Sequence, residues 1–107
     1  MRSDVGIRGF ERIQVLISIT ITCGSSVEAG TLMNLSEKGM FIRMNGKLPP
    51  PHPDVEVIIP VKEEKIQVPA RIIRTETIND LYQGIGVEIV NPSQRYLDFL
   101  DHLLAVL

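Results

Sequence analysis

Asn34-Leu35-Ser36-Glu37-Lys38-Gly39 is a short polar turn set between two apolar runs, and the rest of the chain arranges itself around it. Asparagine and serine carry short polar side chains that bond the local backbone and hold a turn in shape. Gly39 lets the backbone take a positive φ, or lets another group come close. An alternating apolar run ends on its left, and Met40-Phe41-Ile42 restarts one on its right. The stretch therefore joins two strands, with Asn34 and Ser36 placed where their side chains can face a ligand.

To the left, Ile13, Val15, Ile17, Ile19 and Ile21 alternate with Gln14, Leu16, Ser18, Thr20 and Thr22. Period-two alternation of β-branched residues predicts a half-buried strand. Gly24-Ser25-Ser26 turns the chain, and Val27 to Leu35 returns it. To the right, Gly39 to Met44 is a short third strand, closed by the turn dipeptide Asn45-Gly46. Leu48-Pro49-Pro50-Pro51-His52-Pro53-Asp54 is a stiff connection, because proline lacks the N–H that a sheet interior needs. Val55 to Val61 and Ile66 to Thr75 are the fourth and fifth strands, with Lys62-Glu63-Glu64-Lys65 as a charged hairpin tip. Asn79-Asp80 opens another loop, and Gly84 to Val90 is a sixth strand. Six short strands separated by turns predict a mostly β domain, a small antiparallel barrel or sandwich.

The period then changes. Asn91 is placed to cap a helix, with Pro92 at its first position and Gln94 three residues on. Leu97, Leu100, Leu104 and Leu107 form a stripe at helical spacing, supported by Phe99 and Leu103. A C-terminal helix over 92–106 is expected, too rich in leucine to stay unpacked against the barrel or a partner.

At 107 residues the chain is one domain, 44% hydrophobic and 22% charged, in the ordinary range for a soluble globular protein. A net charge of −2 supplies no overall positive field for nucleic acid or for insertion at an anionic membrane. Cys23 is the sole cysteine, which rules out an intramolecular disulfide and any multi-cysteine zinc site. No apolar run nears the length that spans a bilayer, and no signal pattern opens the chain, so a cytoplasmic protein is expected. His52 and His102 have no serine or cysteine partner at a recognised spacing. Asp98 and Asp101 flank the helical stripe as its solvated face, and Gly84-Ile85-Gly86 makes a poor nucleotide loop. No catalytic, metal or cofactor site is expected.

Residues 1 to 12 have little periodicity but hold Arg8 and Arg12 four residues apart, and residues 13 to 33 separate this pair from Asn34. The combination Arg8-x-x-x-Arg12 followed by Asn34-x-Ser36-x-x-Gly39 resembles the PilZ family of cyclic di-GMP receptors. The resemblance covers nearly the whole chain and implies a six-stranded antiparallel β-barrel, residues 13–107 with the C-terminal helix, preceded by a flexible ligand-binding segment, residues 1–12. It assigns Arg8 and Arg12 to close over the ligand. Asn34 and Ser36 would bond a guanine or phosphate, and Gly39 would allow close approach. Arginine chemistry agrees, since its fork donates bidentately to phosphate or to the guanine Hoogsteen edge and its plane stacks on bases. Arg43, on the strand after the motif, is a further candidate. Ile7 stands where many members carry another arginine, which favours a single bound ligand. Asn34 replaces the family's aspartate, which implies moderate affinity. The resemblance also implies a downstream protein partner in motility, adhesion or biofilm control; a protein-interaction adaptor without the nucleotide is the alternative.

Overall fold

The computed structural model describes residues 12–46, 54–80 and 82–106. Arg8, the rest of the N-terminal segment and most of the proline-rich connection lie outside the described residues. Six strands form, β1 (Ile13–Cys23), β2 (Ser26–Leu35), β3 (Gly39–Met44), β4 (Asp54–Val61), β5 (Glu64–Thr77) and β6 (Gln83–Ile89), followed by a helix α1 (Gln94–Val106). The strands close into a barrel in the order β1-β2-β3-β6-β5-β4, and every pairing is antiparallel. This is the expected mostly β architecture with its terminal helix.

The alternation read from the sequence is the alternation of burial. Ile19 and Ile21 on β1, Leu32 and Leu35 on β2, Ile42 on β3, Val57 and Ile59 on β4, and Ile85 and Val87 on β6 all face the barrel interior. Each such side chain contributes about 1.5–3 kcal/mol on leaving water. Closure gives every strand a neighbour on both sides, with the β1–β4 seam paired over Thr20–Thr22 and Glu56–Ile58.

The hairpins are tighter than the turn chemistry suggested. Cys23 pairs with Ser26, leaving a two-residue loop that Gly24 enters at φ +62°. Val61 pairs with Glu64, so the charged tip shrinks to Lys62 and Glu63, and β5 begins two residues earlier than expected. Lys62 takes φ +58° at the first loop position, where the strand twist demands a conformation that glycine adopts freely.

The helix start also differs from the expected Pro92. Asn91 adopts φ +51° as the chain leaves β6, which asparagine tolerates, and so it does not cap. Ser93 caps instead: its Oγ accepts from the Tyr96 N–H at 3.1 Å, and its carbonyl accepts from the Leu97 N–H at 3.0 Å. The helix buries Tyr96 and Leu100, with Leu97, Phe99, Leu103 and Leu104 partly covered. Leu107 lies outside the described residues. Among the described residues no helix is long and apolar enough to cross a membrane.

Lys62→Gly is expected to raise stability by about 0.5–1 kcal/mol, because relief of the left-handed strain outweighs the added freedom of the unfolded chain. An upward shift of the urea midpoint at unchanged slope checks this.

Candidate ligand-binding site

The Ser36 turn is held by bonds at every polar atom of one residue. The Ser36 N–H donates to the Gly39 carbonyl at 2.8 Å. Its Oγ accepts from the Lys38 and Gly39 N–H groups, each at 3.2 Å. Its carbonyl accepts from the Tyr96 hydroxyl of α1 at 2.7 Å, a buried bond. Next along, the Lys38 carbonyl accepts from the Ile89 N–H at 2.9 Å, tying the turn to β6. Ser36 is only 4% exposed, so its first task is to shape the turn.

Gly39 is required by what lies against it. A Cβ there would sit 2.8 Å from the Val87 carbonyl oxygen of β6 and 3.4 Å from the Arg12 guanidinium. Arg12 therefore lies across Gly39. It reaches the neighbouring strand, where its Nη1 donates to Asn34 Oδ1 at 3.0 Å. Among the described residues the bond to Asn34 uses one of the guanidinium's five donors, and the residue is exposed.

Asn34 reaches this surface because β2 breaks its alternation. Leu32 pairs with Ile42 and Asn34 pairs with Phe41, so the register shifts between them. One extra residue, Met33, turns Asn34 outward while Leu32 and Leu35 both stay in the core. β5 does the same: Ile72 pairs with Val87 and Arg74 pairs with Gly86, with Ile73 extra. Without that shift Arg74 would follow Ala70 and Ile72 toward the interior. The two bulges complete one row across four strands, Asn34 on β2, Phe41 on β3, Gly86 on β6 and Arg74 on β5.

Arg12, Asn34, Phe41, Arg74 and Glu76 line a shallow cavity of about 250 Å³ on this row. Of the residues singled out in the sequence, the structure brings Arg12, Asn34 and Gly39 together, with Ser36 buried beneath the same turn. Arg43 lies apart from this lining; its guanidinium stacks over the Tyr82 ring at 4.8 Å, and its Nε is buried without a hydrogen-bond partner. Phe41 and Glu76 were not assigned to the site by the sequence, and Arg74 reads there as a solvated residue of the fifth strand. The available signal was the outward pair Gly84 and Gly86 on β6, which leaves room for Phe41 and Arg74 respectively. Among the described residues no cluster of three or more histidine, cysteine, aspartate or glutamate side chains is arranged to hold a metal ion.

The family model described as PilZ domain matches residues 7–105. Among solved structures, the chain superposes on the Bacillus subtilis inhibitor of motility MotI/DgrA with a TM-score of 0.70 at 15% identity, covering 88% of this chain and 48% of that one. It thus spans about half the length of that protein. It superposes on the PilZ domain of CeSA from a cellulose-synthesizing bacterium with a TM-score of 0.64 at 22% identity, covering 90% of this chain and 97% of that one. At these identities the likeness is one of fold. No curated protein sequence matches the chain significantly.

Tyr96 makes the turn testable. Burial pushes its phenol well above the usual value; Arg12 nearby pulls it down and Glu37 pushes it up, both less strongly. The folded state therefore holds this proton more tightly than the unfolded chain. The associated stability is fully present below about pH 10 and is lost as pH rises from there through the folded value. Tyr96→Phe leaves the Ser36 carbonyl without its buried donor and is expected to lose about 1–3 kcal/mol at neutral pH. Urea titrations at neutral and alkaline pH should show that loss, together with a shallower alkaline decline in the variant than in the parent.

Proposed function

The chain belongs to the PilZ domain family, a family of binding and adaptor domains, and from that premise we propose that it is a receptor that binds cyclic di-GMP without turning it over. The observation that carries this reading is the bond from Arg12 to Asn34 across Gly39, because it joins the two separated halves of the motif on one surface. A guanidinium already oriented by one bond loses less entropy on meeting a phosphate or a guanine edge.

In this mechanism Arg12 holds the ligand against the barrel and Arg8 closes over it from the N-terminal segment. Asn34 bonds a guanine or phosphate at the rim. Ser36 contributes the shape of the turn, with its hydroxyl proton left to donate. Gly39 keeps the floor low enough for Arg12 and the ligand to share it. Drawing the segment that carries Arg8 onto the barrel changes the surface offered to a partner protein, a switch of the order–disorder kind. The neighbour MotI/DgrA is named as an inhibitor of motility, and a role of this chain in motility, adhesion or biofilm control is part of the proposal. Ile7, in place of a further arginine, goes with one ligand per chain.

Isothermal titration of the purified protein with cyclic di-GMP, with GTP and cyclic AMP as controls, tests this directly. Saturable micromolar or tighter binding, absent for both controls, is expected. Arg8→Ala and Arg12→Ala should each weaken it at least tenfold. No heat and no thermal shift at far higher concentrations would instead leave an adaptor that acts through partners alone, and unchanged affinity in both variants would remove the arginines from the site.

A further inference from the structure

Two glycines facing outward on one strand weaken it, since each forgoes a side chain and adds freedom to the unfolded chain. On β6 these are Gly84 and Gly86, and each leaves room for a side chain from a neighbouring strand. The Phe41 ring covers Gly84. Arg74 covers Gly86, where a Cβ would come within 3.0 Å of its guanidinium carbon. The same guanidinium stands 5.8 Å from the Phe41 ring centroid, and its Nε donates to Glu76 Oε2 at 2.6 Å. Arg74 and Glu76 remain about half exposed, at 49% and 48% of their side-chain surfaces. An isolated surface ion pair of this kind adds little to stability and gives no reason for the glycines.

The reason is found in the cavity. Arg74, Phe41 and Glu76 line it with Arg12 and Asn34, on the far side of the row from the motif. Glu76 takes Nε, which orients the plane of the guanidinium, and among the described residues no hydrogen bond engages either Nη group. A pair of parallel donors beside an aromatic face matches one nucleobase edge in particular. Guanine presents two acceptors, N7 and O6, whereas adenine replaces O6 with an amino donor that would oppose an arginine. The half-buried Phe41 ring offers a face on which the same base can stack.

We propose that Arg74, oriented by Glu76 and seated beside Phe41 over Gly86, is a base-reading residue that selects guanine over adenine in the bound cyclic dinucleotide. The proposal rests on the receptor reading above and adds to it the origin of base selectivity. Arg74 adds base discrimination to the hold that the motif residues have on the ligand.

The test is a competition titration of the full chain with cyclic di-GMP and cyclic di-AMP, for the parent, Arg74→Ala, Arg74→Lys and Arg12→Ala. Arg74→Ala is expected to lower cyclic di-GMP affinity at least tenfold and to reduce the preference over cyclic di-AMP by a similar factor, at an unchanged melting temperature. Arg74→Lys keeps the charge without the fork and should not restore the preference. If Arg74→Ala weakens both nucleotides equally, Arg74 supplies charge only and base reading is overturned. If it changes neither affinity nor preference while Arg12→Ala loses binding, Arg74 is a surface ion pair and the receptor reading stands without it. Failure of the parent to bind either nucleotide would overturn both.

Discussion

A side chain on a closed barrel has two destinations, the core or the outer surface, and backbone parity decides which. That constraint is unforgiving, because one slipped residue sends every following side chain to the wrong face. This chain uses the rule strictly where it builds the core and breaks it where it builds the site. The two extra residues, Met33 and Ile73, each reset parity by one position. Leu35 thereby remains in the core beside Leu32, while Asn34 and Arg74 are carried to one outward row. Site and core are thus two consequences of the same register shifts, to which β1 adds a third between Gln14 and Ile17, opposite Leu32 and Asn34.

The turn after β2 is the second dependency. A serine at this point satisfies four backbone or hydroxyl groups through bonds that involve it directly. The most telling is the one from Tyr96, since it joins the motif to the helix through a buried contact that water cannot replace. The helix also meets the barrel through Leu97 and Leu100 and through an ion pair from Arg95 to Glu64 at the β4–β5 hairpin. The buried phenol is thus a direct bond between α1 and the turn.

Charge is arranged locally. The chain carries a net −2, yet Arg12 and Arg74 converge on one shallow cavity whose lining, among the described residues, holds one carboxylate, Glu76. Attraction for an anion therefore depends on these few side chains and not on the field of the whole molecule.

The sequence by itself determined the elements. Alternation of β-branched residues placed six strands, the leucine stripe placed the helix, and both followed because burial rewards a period that matches the backbone. The resemblance to the PilZ motif singled out Arg12, Asn34 and Gly39, and the structure brings these three together on one surface. Helix capping was misplaced because Asn91 and Ser93 are both competent caps, and only the exit angle from β6 chose between them. The role of Tyr96 was not legible because a tyrosine on a helix looks the same whether its hydroxyl meets water or a buried carbonyl. Phe41, Arg74 and Glu76 were missed for a stronger reason. They come from two strands joined across β6, and two parity breaks, invisible in composition or periodicity, turn Asn34 and Arg74 onto the same face. Which residues share a surface is a matter of register, and register is decided by closing the barrel.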